Sequence, residues 1–184
     1  GNALSEVFVM GDIAGRGAAS RAAEVGPSEL PRKEVEAEKE RLESFASGGD
    51  RPLRAMRRSV KELMWYKAGI ARNGKELENA LGQIEEFHRC VPDVQVEDFR
   101  DLMKALELQN MLISAEMVCR AALARTESRG AHYRDDYPDE NNNDWLKNIV
   151  IRKQDSGMGL QEVPVTMDIM TFAIAFEQSR TKGT

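Results

Sequence analysis

The stretch from Arg125 to Pro138 holds a dense collection of chemically active side chains. It contains three arginines, three acidic residues, a histidine and two tyrosines. Enzymes use carboxylates and histidines for proton transfer, and arginines bind carboxylate groups through paired hydrogen bonds. Acid–base chemistry on a carboxylate-bearing substrate is therefore one interpretation of the stretch.

A structural role is the interpretation that we favour for the same residues. The stretch follows the longest apolar-patterned segment, so it lies where a helix passes into a loop. At such an exit, charged side chains pair with one another and with the exposed carbonyls of the helix end. A glycine there can adopt backbone angles that residues with a Cβ rarely adopt. The motif residues are Glu127, Arg129, Gly130, His132, Arg134 and Asp136.

The elements that must position this motif are predicted to be helices. Apolar residues at helical spacing favour helices over 32–45, 51–68, 75–89 and 98–125. Asp50 is the expected N-cap of the second helix, with Pro52 in its first turn. The last helix is apolar on several sides, which indicates a central helix. Trp65 and Tyr66 are expected to pack inside. The predicted fold is mainly α, a three-helix bundle with short β segments at both ends.

Extended segments are expected before and after the helices. Val7–Met10 is predicted to be a buried strand that leads into the glycine-rich turn Gly11–Gly17, which can bring backbone amides close to a ligand. Towards the C-terminus, Trp145–Arg152 is predicted to be a strand anchored by Trp145, and Leu160–Ile169 alternates as an extended segment does. Residues 172–183 have no clear type.

Composition limits the class of protein. The 184 residues support one domain with a tail, and a net charge of −5 argues against non-specific nucleic-acid binding. No apolar run is long enough to span a membrane, and no signal-peptide pattern opens the chain. Cys90 and Cys119 indicate reduced thiols, and His88 lacks partners at metal-ligand spacing, so no metal is expected. A cytoplasmic protein is the resulting expectation.

The amino-acid sequence of the motif resembles that of one enzyme family. Glu-Ser-Arg-Gly-Ala-His at 127–132, then Arg134, Asp135, Tyr-Pro at 137–138 and Asp-Trp-Leu at 144–146, is similar to the C-terminal region of the flavoprotein subunit of succinate dehydrogenase and fumarate reductase. L-Aspartate oxidase is a close relative. Gly-Ile-Ala-Arg at 69–72 and the helix after it extend the resemblance over most of residues 53–145.

The resemblance implies a domain organisation and two sites. Residues 1–31 would be a remnant of the FAD-binding domain with a linker, 32–147 the helical C-terminal domain, and 148–184 an extended C-terminal segment. Asp12 falls where the family has an acidic residue bonded to the ribityl chain of the flavin. Arg21 is the nearest candidate for an arginine that binds the substrate carboxylate, although a solvated helix arginine is the interpretation we favour.

Much of the family's catalytic equipment is missing from these 184 residues. The Gly-x-Gly-x-x-Gly turn for the FAD pyrophosphate, the histidine that tethers flavin in many members and the capping domain with its proton-donating arginine do not occur. We therefore expect FAD in the complete enzyme but none on this chain alone, and no catalytic residue here. The implied partners are an iron–sulfur subunit and, within the same flavoprotein, the FAD-binding and capping domains. Attachment to the inner face of the membrane would be peripheral, through partner subunits.

Two alternatives stay open. One is a non-catalytic helical assembly module that shares the bundle. The other is the same domain of an L-aspartate oxidase, although the sequence Arg-Asp-Asp-Tyr-Pro at 134–138 favours a succinate dehydrogenase. The sequence leaves the direction of the redox reaction and the electron partner open.

Overall fold

A computed structural model describes residues 3–26, 29–46, 48–155 and 157–165 of the chain. Its helices are α1 (Ala3–Val25), α2 (Arg32–Ala46), α3 (Leu53–Lys67), α4 (Gly74–Cys90), α5 (Phe99–Ala124) and α6 (Asn142–Trp145), with a 3-10 turn at Val91–Asp93. Its strands are β1 (Ala71–Arg72), β2 (Tyr133–Arg134), β3 (Lys147–Gln154) and β4 (Gly157–Pro164). The chain divides into two compact units between Glu43 and Ser44.

The core of the second unit lies between α3, α4 and α5. Each helix buries apolar residues that recur every three or four positions, which is the pattern of a helix with one face against a core. The buried residues of the three helices include Met56, Val60, Leu63, Leu77, Ala80, Ile84, Ala105, Leu108, Leu112, Ala115, Cys119 and Ala122. The predicted three-helix bundle is confirmed, but the buried residues of α5 lie on one face of the helix, and Phe99 and Met103 are exposed, so the expected burial on several sides is wrong.

The starts of the helices depend on local capping. The Asp98 side chain accepts a hydrogen bond from the Asp101 amide at 2.8 Å, so α5 begins where the sequence predicts. The N-cap prediction for Asp50 is wrong, because Pro52 occupies that position and provides no side-chain cap. The cause is a bridge between Arg51 and Val94, which keeps the chain extended up to the start of α3.

The predicted strand at Val7–Met10 and the glycine-rich turn at Gly11–Gly17 are wrong. Both segments lie inside the continuous helix α1. A strand must bond to a neighbouring strand, and among the described residues the sheets are only β1 with β2 and β3 with β4. A helix satisfies its backbone groups internally, so this Ala-rich segment forms one. Short β segments therefore follow the bundle but do not precede it in the described part of the chain.

The C-terminal extended region is an antiparallel hairpin. Strand β3 pairs with β4 from Lys147 opposite Pro164 to Gln154 opposite Gly157. The strand predicted from Trp145 begins two residues later, because the one-turn helix α6 ends on Trp145, whose ring is buried. Strand β4 begins at Gly157, three residues before the extended segment that was predicted from Leu160. Residues 166–169 and 172–183 lie outside the described residues.

The packing predicted for Trp65 and Tyr66 is wrong. Their side chains are 75% and 76% exposed, because the face of α3 that meets the core is the one that carries Val60 and Leu63. Trp65 lines an open groove between α3 and α5 with a volume of about 720 Å³. The apolar residues of this groove are Val60, Met64, Trp65, Met111, Ala115 and Val118. We call it the α3–α5 groove.

Candidate functional site

The end of helix α5 is closed by the guanidinium group of Arg134. Its Nη1 donates to the carbonyl oxygens of Ala122 at 2.7 Å, Leu123 at 3.2 Å and Arg125 at 3.2 Å. The last carbonyls of a helix lack partners within the helix and carry its negative dipole end, so a cation is favourable there. Arg134 is only 2% exposed, which makes it part of the interior.

Asp136 connects this cap to the start of helix α4. Its carboxylate accepts two hydrogen bonds from Arg134, from Nε to Oδ1 and from Nη2 to Oδ2, each at 2.7 Å. Oδ2 also accepts the backbone N–H of Gly74, the first residue of α4, at 2.8 Å. The bonds from Arg134 are the first cause and that from Gly74 a further cause of a strongly lowered pKa of Asp136.

Glu127 forms the second ion-paired centre of the motif. Its side chain is fully buried and accepts two hydrogen bonds from Arg129, both at 2.9 Å. It also accepts the Asn141 amide at 2.8 Å and a short hydrogen bond from Arg125. The Arg129 bonds are the main reason that the pKa of Glu127 falls to about 2, and burial acts in the opposite direction. The carboxylate is therefore ionised and bonded at neutral pH.

A tight turn sets the direction of the motif. The backbone groups of Arg129 and His132 exchange two hydrogen bonds, at 2.8 and 3.0 Å, around a two-residue loop. Gly130 in that loop has a φ of +58°, a backbone angle that residues with a Cβ rarely adopt. The turn places Arg129 beside Glu127 and also leads the chain into strand β2.

The short parallel pair of β1 and β2 ties the motif to the end of helix α3. Ala71 pairs with Tyr133, and Arg72 pairs with Arg134. The Arg72 side chain donates from Nε to the carbonyl of Gly69 at 2.8 Å, and its Nη1 lies 3.1 Å from Nδ1 of His132. Burial is the first cause of a lowered pKa of His132, so this ring favours the neutral form.

Two further residues complete the arrangement, and sequence reasoning did not assign them to the motif. Arg125 donates to the carbonyl of Trp145 at 3.1 Å and lies 5.1 Å from the centre of the Trp145 ring. The Ser128 hydroxyl donates to the Tyr137 carbonyl at 2.8 Å and accepts the Arg134 amide at 2.9 Å. Both residues lie within the charged stretch, so its density was the available signal.

The motif joins three helix ends. Arg72 and β1 connect it to the end of α3, Asp136 to the start of α4, and Arg134 to the end of α5. The charged atoms of Glu127 and Arg134 are bonded to protein partners and removed from solvent. Groups held in this way stabilise a fold, whereas a substrate needs charged groups that are accessible to it.

The structure places the two candidate ligand residues elsewhere, on helix α1. The Asp12 carboxylate pairs with Arg16 at 2.9 Å, and the Arg21 guanidinium lies 3.5 Å from Glu24. All four side chains are largely exposed. The flavin contact of Asp12 and the substrate contact of Arg21 stay predictions.

The described ranges lack the features of a metal site and of a membrane span. They contain no group of three or more His, Cys, Asp or Glu side chains that could hold a metal ion. His88 is half-buried, with Nε2 3.6 Å from Glu116. Cys90 and Cys119 are free thiols, and burial raises the pKa of Cys119 to about 11. Within those ranges, no helix combines the length and hydropathy that a membrane span requires.

Fold and motif together define a helical-bundle domain whose three helix ends meet at one buried, ion-paired loop. The family model described as fumarate reductase flavoprotein C-term matches residues 57–180. The chain belongs to this family and is the C-terminal domain of a succinate dehydrogenase/fumarate reductase flavoprotein subunit.

Relatives with established names support the same family. One subunit of the fumarate reductase (CoM/CoB) of Methanothermobacter marburgensis is 35% identical over 158 residues, which cover 84% of this chain and 28% of the relative. The succinate dehydrogenase flavoprotein subunit of Rickettsia conorii is 32% identical over 184 aligned residues, covering 92% of this chain and 30% of the relative. The chain thus spans less than a third of the length of these two relatives.

Solved structures share the fold. A chain of quinol fumarate reductase from E. coli superposes with a TM-score of 0.79 at 26% identity, covering 88% of this chain and 30% of that one. A chain of the Mycobacterium smegmatis Sdh1 complex superposes with a TM-score of 0.78 at 30% identity, covering 92% and 31%. Because the family is that of flavoproteins, the complete enzymes contain FAD.

Proposed function

We propose that this chain is the structural C-terminal domain of an FAD-dependent enzyme that interconverts succinate and fumarate, and that it contributes no catalytic group. The observation that carries the proposal is the commitment of Glu127, Arg134 and Asp136 to one another and to helix ends. Relatives named succinate dehydrogenase and fumarate reductase flavoprotein subunits support the reaction class. We propose that residues 1–31 are a remnant of the FAD-binding domain with a linker, 32–147 the helical C-terminal domain and 148–184 an extended C-terminal segment.

We infer that this chain contributes no FAD site of its own. Asp12, which the resemblance assigns to the flavin, is exposed on α1 and paired with Arg16. A flavin site requires backbone amides that converge on phosphate oxygens, and α1 has no glycine with a positive φ within its bounds. FAD therefore belongs to other parts of the flavoprotein, and no step of hydride transfer is assigned to this chain.

The α3–α5 groove is the contact surface for the flavin-binding domain of the same subunit. Trp65 is 75% exposed at its edge, and Ile70, just after α3, is 86% exposed. Large apolar side chains exposed next to each other mark an interaction surface. We assign the flavin-binding domain as the occupant, because roughly seven-tenths of the relatives' chains lies outside the matched part and one of these relatives is named a flavoprotein subunit.

Further partners follow from the complexes that the relatives form. One structural relative is a quinol-fumarate reductase with bound menaquinol molecules. We assign the complete flavoprotein to a similar assembly, in which electrons are accepted or supplied by an iron–sulfur subunit. Its attachment to the inner face of the membrane is then peripheral and occurs through partner subunits.

The test compares the 184-residue chain with a complete flavoprotein in which this chain is the C-terminal domain. Fumarate-dependent oxidation of a reduced viologen dye and flavin absorbance are measured for both proteins. The complete flavoprotein is expected to be yellow and active, and the chain alone to be colourless and inactive. A yellow, active 184-residue chain would refute the structural role. Oxidation of L-aspartate but not succinate by the complete flavoprotein would instead identify an L-aspartate oxidase.

A further inference from the structure

A second groove, separate from the charged motif, follows the outer side of helix α3. It has a volume of about 680 Å³ and lies between α3, the start of α5 and the loop before α5. Its basic residues are Arg54, Arg57, Arg58, Lys61 and Lys104. The lining also contains the acids Glu97 and Asp101. We call it the basic groove.

Cations exceed acids in this groove, although the whole chain has a net charge of −5. The acids present already have partners: Glu97 accepts a hydrogen bond from Gln95 at 2.6 Å, and Asp101 pairs with Lys104 at 3.1 Å. The surplus of positive charge is therefore local to α3.

The unpaired cations form a row on one face of α3. Arg57 is neutralised by Glu107 at 2.7 Å. Arg54, Arg58 and Lys61 are exposed, and none of the residues described around them pairs with their charged groups. Positions four and three apart share one helix face, so the row extends about 10 Å along the helix. Three exposed cations in a row beside a groove favour a ligand with several negative charges.

We propose that the basic groove binds an acidic α-helix of a partner protein, whose carboxylates recur at spacings of four and three residues. A second helix laid along α3 presents carboxylates at the same interval as the row, where Arg54 and Arg58 can each bind a carboxylate with two hydrogen bonds and Lys61 adds a point charge. The buried side chain of Leu53 gives the groove an apolar floor that suits the aliphatic part of a helix.

The groove is less suited to a bilayer or a nucleic acid. Both present dense arrays of phosphate groups, whereas the groove offers three cations in one row that the described residues leave unpaired. A peptide helix presents a few separate carboxylates, which a row of three cations can match. None of these residues belongs to the charged motif, although Lys61 also lines the α3–α5 groove.

The experiment measures binding of a labelled model peptide to the 184-residue chain by fluorescence anisotropy. The probe is a short alanine-based helix with glutamates at spacings of four and three residues, and its matched control has glutamines there. The test variant combines Arg54→Gln, Arg58→Gln and Lys61→Gln. The control variant removes the same charge at exposed positions outside the groove, by Lys75→Gln, Arg89→Gln and Arg152→Gln. Circular dichroism verifies that both variants are folded.

The proposal predicts that the acidic peptide binds the native chain and the control variant alike. The groove variant should bind it on the order of tenfold more weakly, and added salt should weaken binding to the native chain. Equal binding of the glutamine peptide, equal loss in the control variant or no binding at all would overturn the proposal. Groove-dependent binding of phosphatidylglycerol vesicles without binding of the acidic peptide would also overturn it, in favour of a lipid surface. If the groove variant unfolds, the single change Arg58→Gln repeats the comparison.

Discussion

Arg134 and Asp136 form a pair of parallel 2.7 Å hydrogen bonds that connects the end of helix α5 to the start of helix α4. The same guanidinium group caps the Ala122 carbonyl, and the same carboxylate binds the Gly74 amide. Side chains of one loop bind the free backbone groups at both helix ends. Loss of either side chain therefore leaves backbone groups without hydrogen bonds at both ends. The pair is thus a central support of the bundle.

Replacing Arg134 by methionine tests this support. The substitution keeps an unbranched apolar chain but leaves three α5 carbonyls and the Asp136 carboxylate without their cation. We expect the free energy of unfolding to fall by about 3–5 kcal/mol, as it does when one partner of a buried ion pair is removed. Urea unfolding of the chain measures it. Arg152→Met, on the exposed side of the hairpin, is the matched control and should change the value by less than about 0.5 kcal/mol.

Acid should weaken the fold through Glu127. Its folded-state pKa of about 2 lies below the ordinary value of 4.5, so its ionised form stabilises the native state above about pH 4.5. As the pH falls from about 5 towards 2, the carboxylate must take up a proton and about 2–3 kcal/mol of stability is lost. The lowered pKa of Asp136 acts in the same direction.

The variant Glu127→Gln separates the Glu127 contribution from that of other acids. The amide leaves Arg125 without its carboxylate partner and Arg129 with Glu140 alone, so we expect lower stability at neutral pH and a smaller further loss in acid. Urea unfolding at several pH values measures both effects. An unchanged slope of stability against pH in the variant would show that Glu127 is not the group responsible.

Gly130→Ala should destabilise the turn of the motif. The φ of +58° costs a residue with a Cβ on the order of 1 kcal/mol, and no nearby atom blocks the added methyl group. Gly82→Ala is the control, because Gly82 lies inside α4 with open space around it, and alanine there should stabilise by up to about 1 kcal/mol. Opposite changes in melting temperature are the expected result, and a stabilised Gly130→Ala variant would contradict the turn geometry.

The start of α5 gives a second matched pair. Asp98→Ala removes the bond to the Asp101 amide and should cost about 1 kcal/mol. Asp50→Ala, ahead of α3, should change stability by less than about 0.5 kcal/mol, because the N-cap of α3 is Pro52. Thermal unfolding followed by circular dichroism compares them. A larger loss for Asp50→Ala would restore Asp50 as a helix cap.

Local signals predicted the bundle well and the N-terminal segment badly. The capping aspartate and apolar periodicity of α5 are encoded within that helix, so its limits were predictable to within a residue. Val7–Met10 can form a strand only beside another strand, and the described residues provide none for it. The segment is therefore part of helix α1. The face of α3 that carries Trp65 was misassigned because exposed apolar side chains look the same in sequence as core side chains.

The charged motif was predictable in membership but not in geometry. Its composition and position indicated ion pairing at a helix exit. The partners of Arg134 lie on α5, on the motif itself and, through Asp136, on α4, and contacts across such sequence distances do not follow from local patterns. The parallel pairing of Arg72 with Arg134 likewise has no signal in either two-residue strand.

The most direct test of the structural role is the variant Arg129→Met in the complete flavoprotein. Its melting temperature and its fumarate reduction rate per bound flavin are measured together, with KM for fumarate. Because Arg129 holds Glu127 through two hydrogen bonds, we predict a lower melting temperature with an unchanged rate per flavin and an unchanged KM. An unchanged melting temperature with loss of fumarate reduction would contradict the account and assign the motif to catalysis.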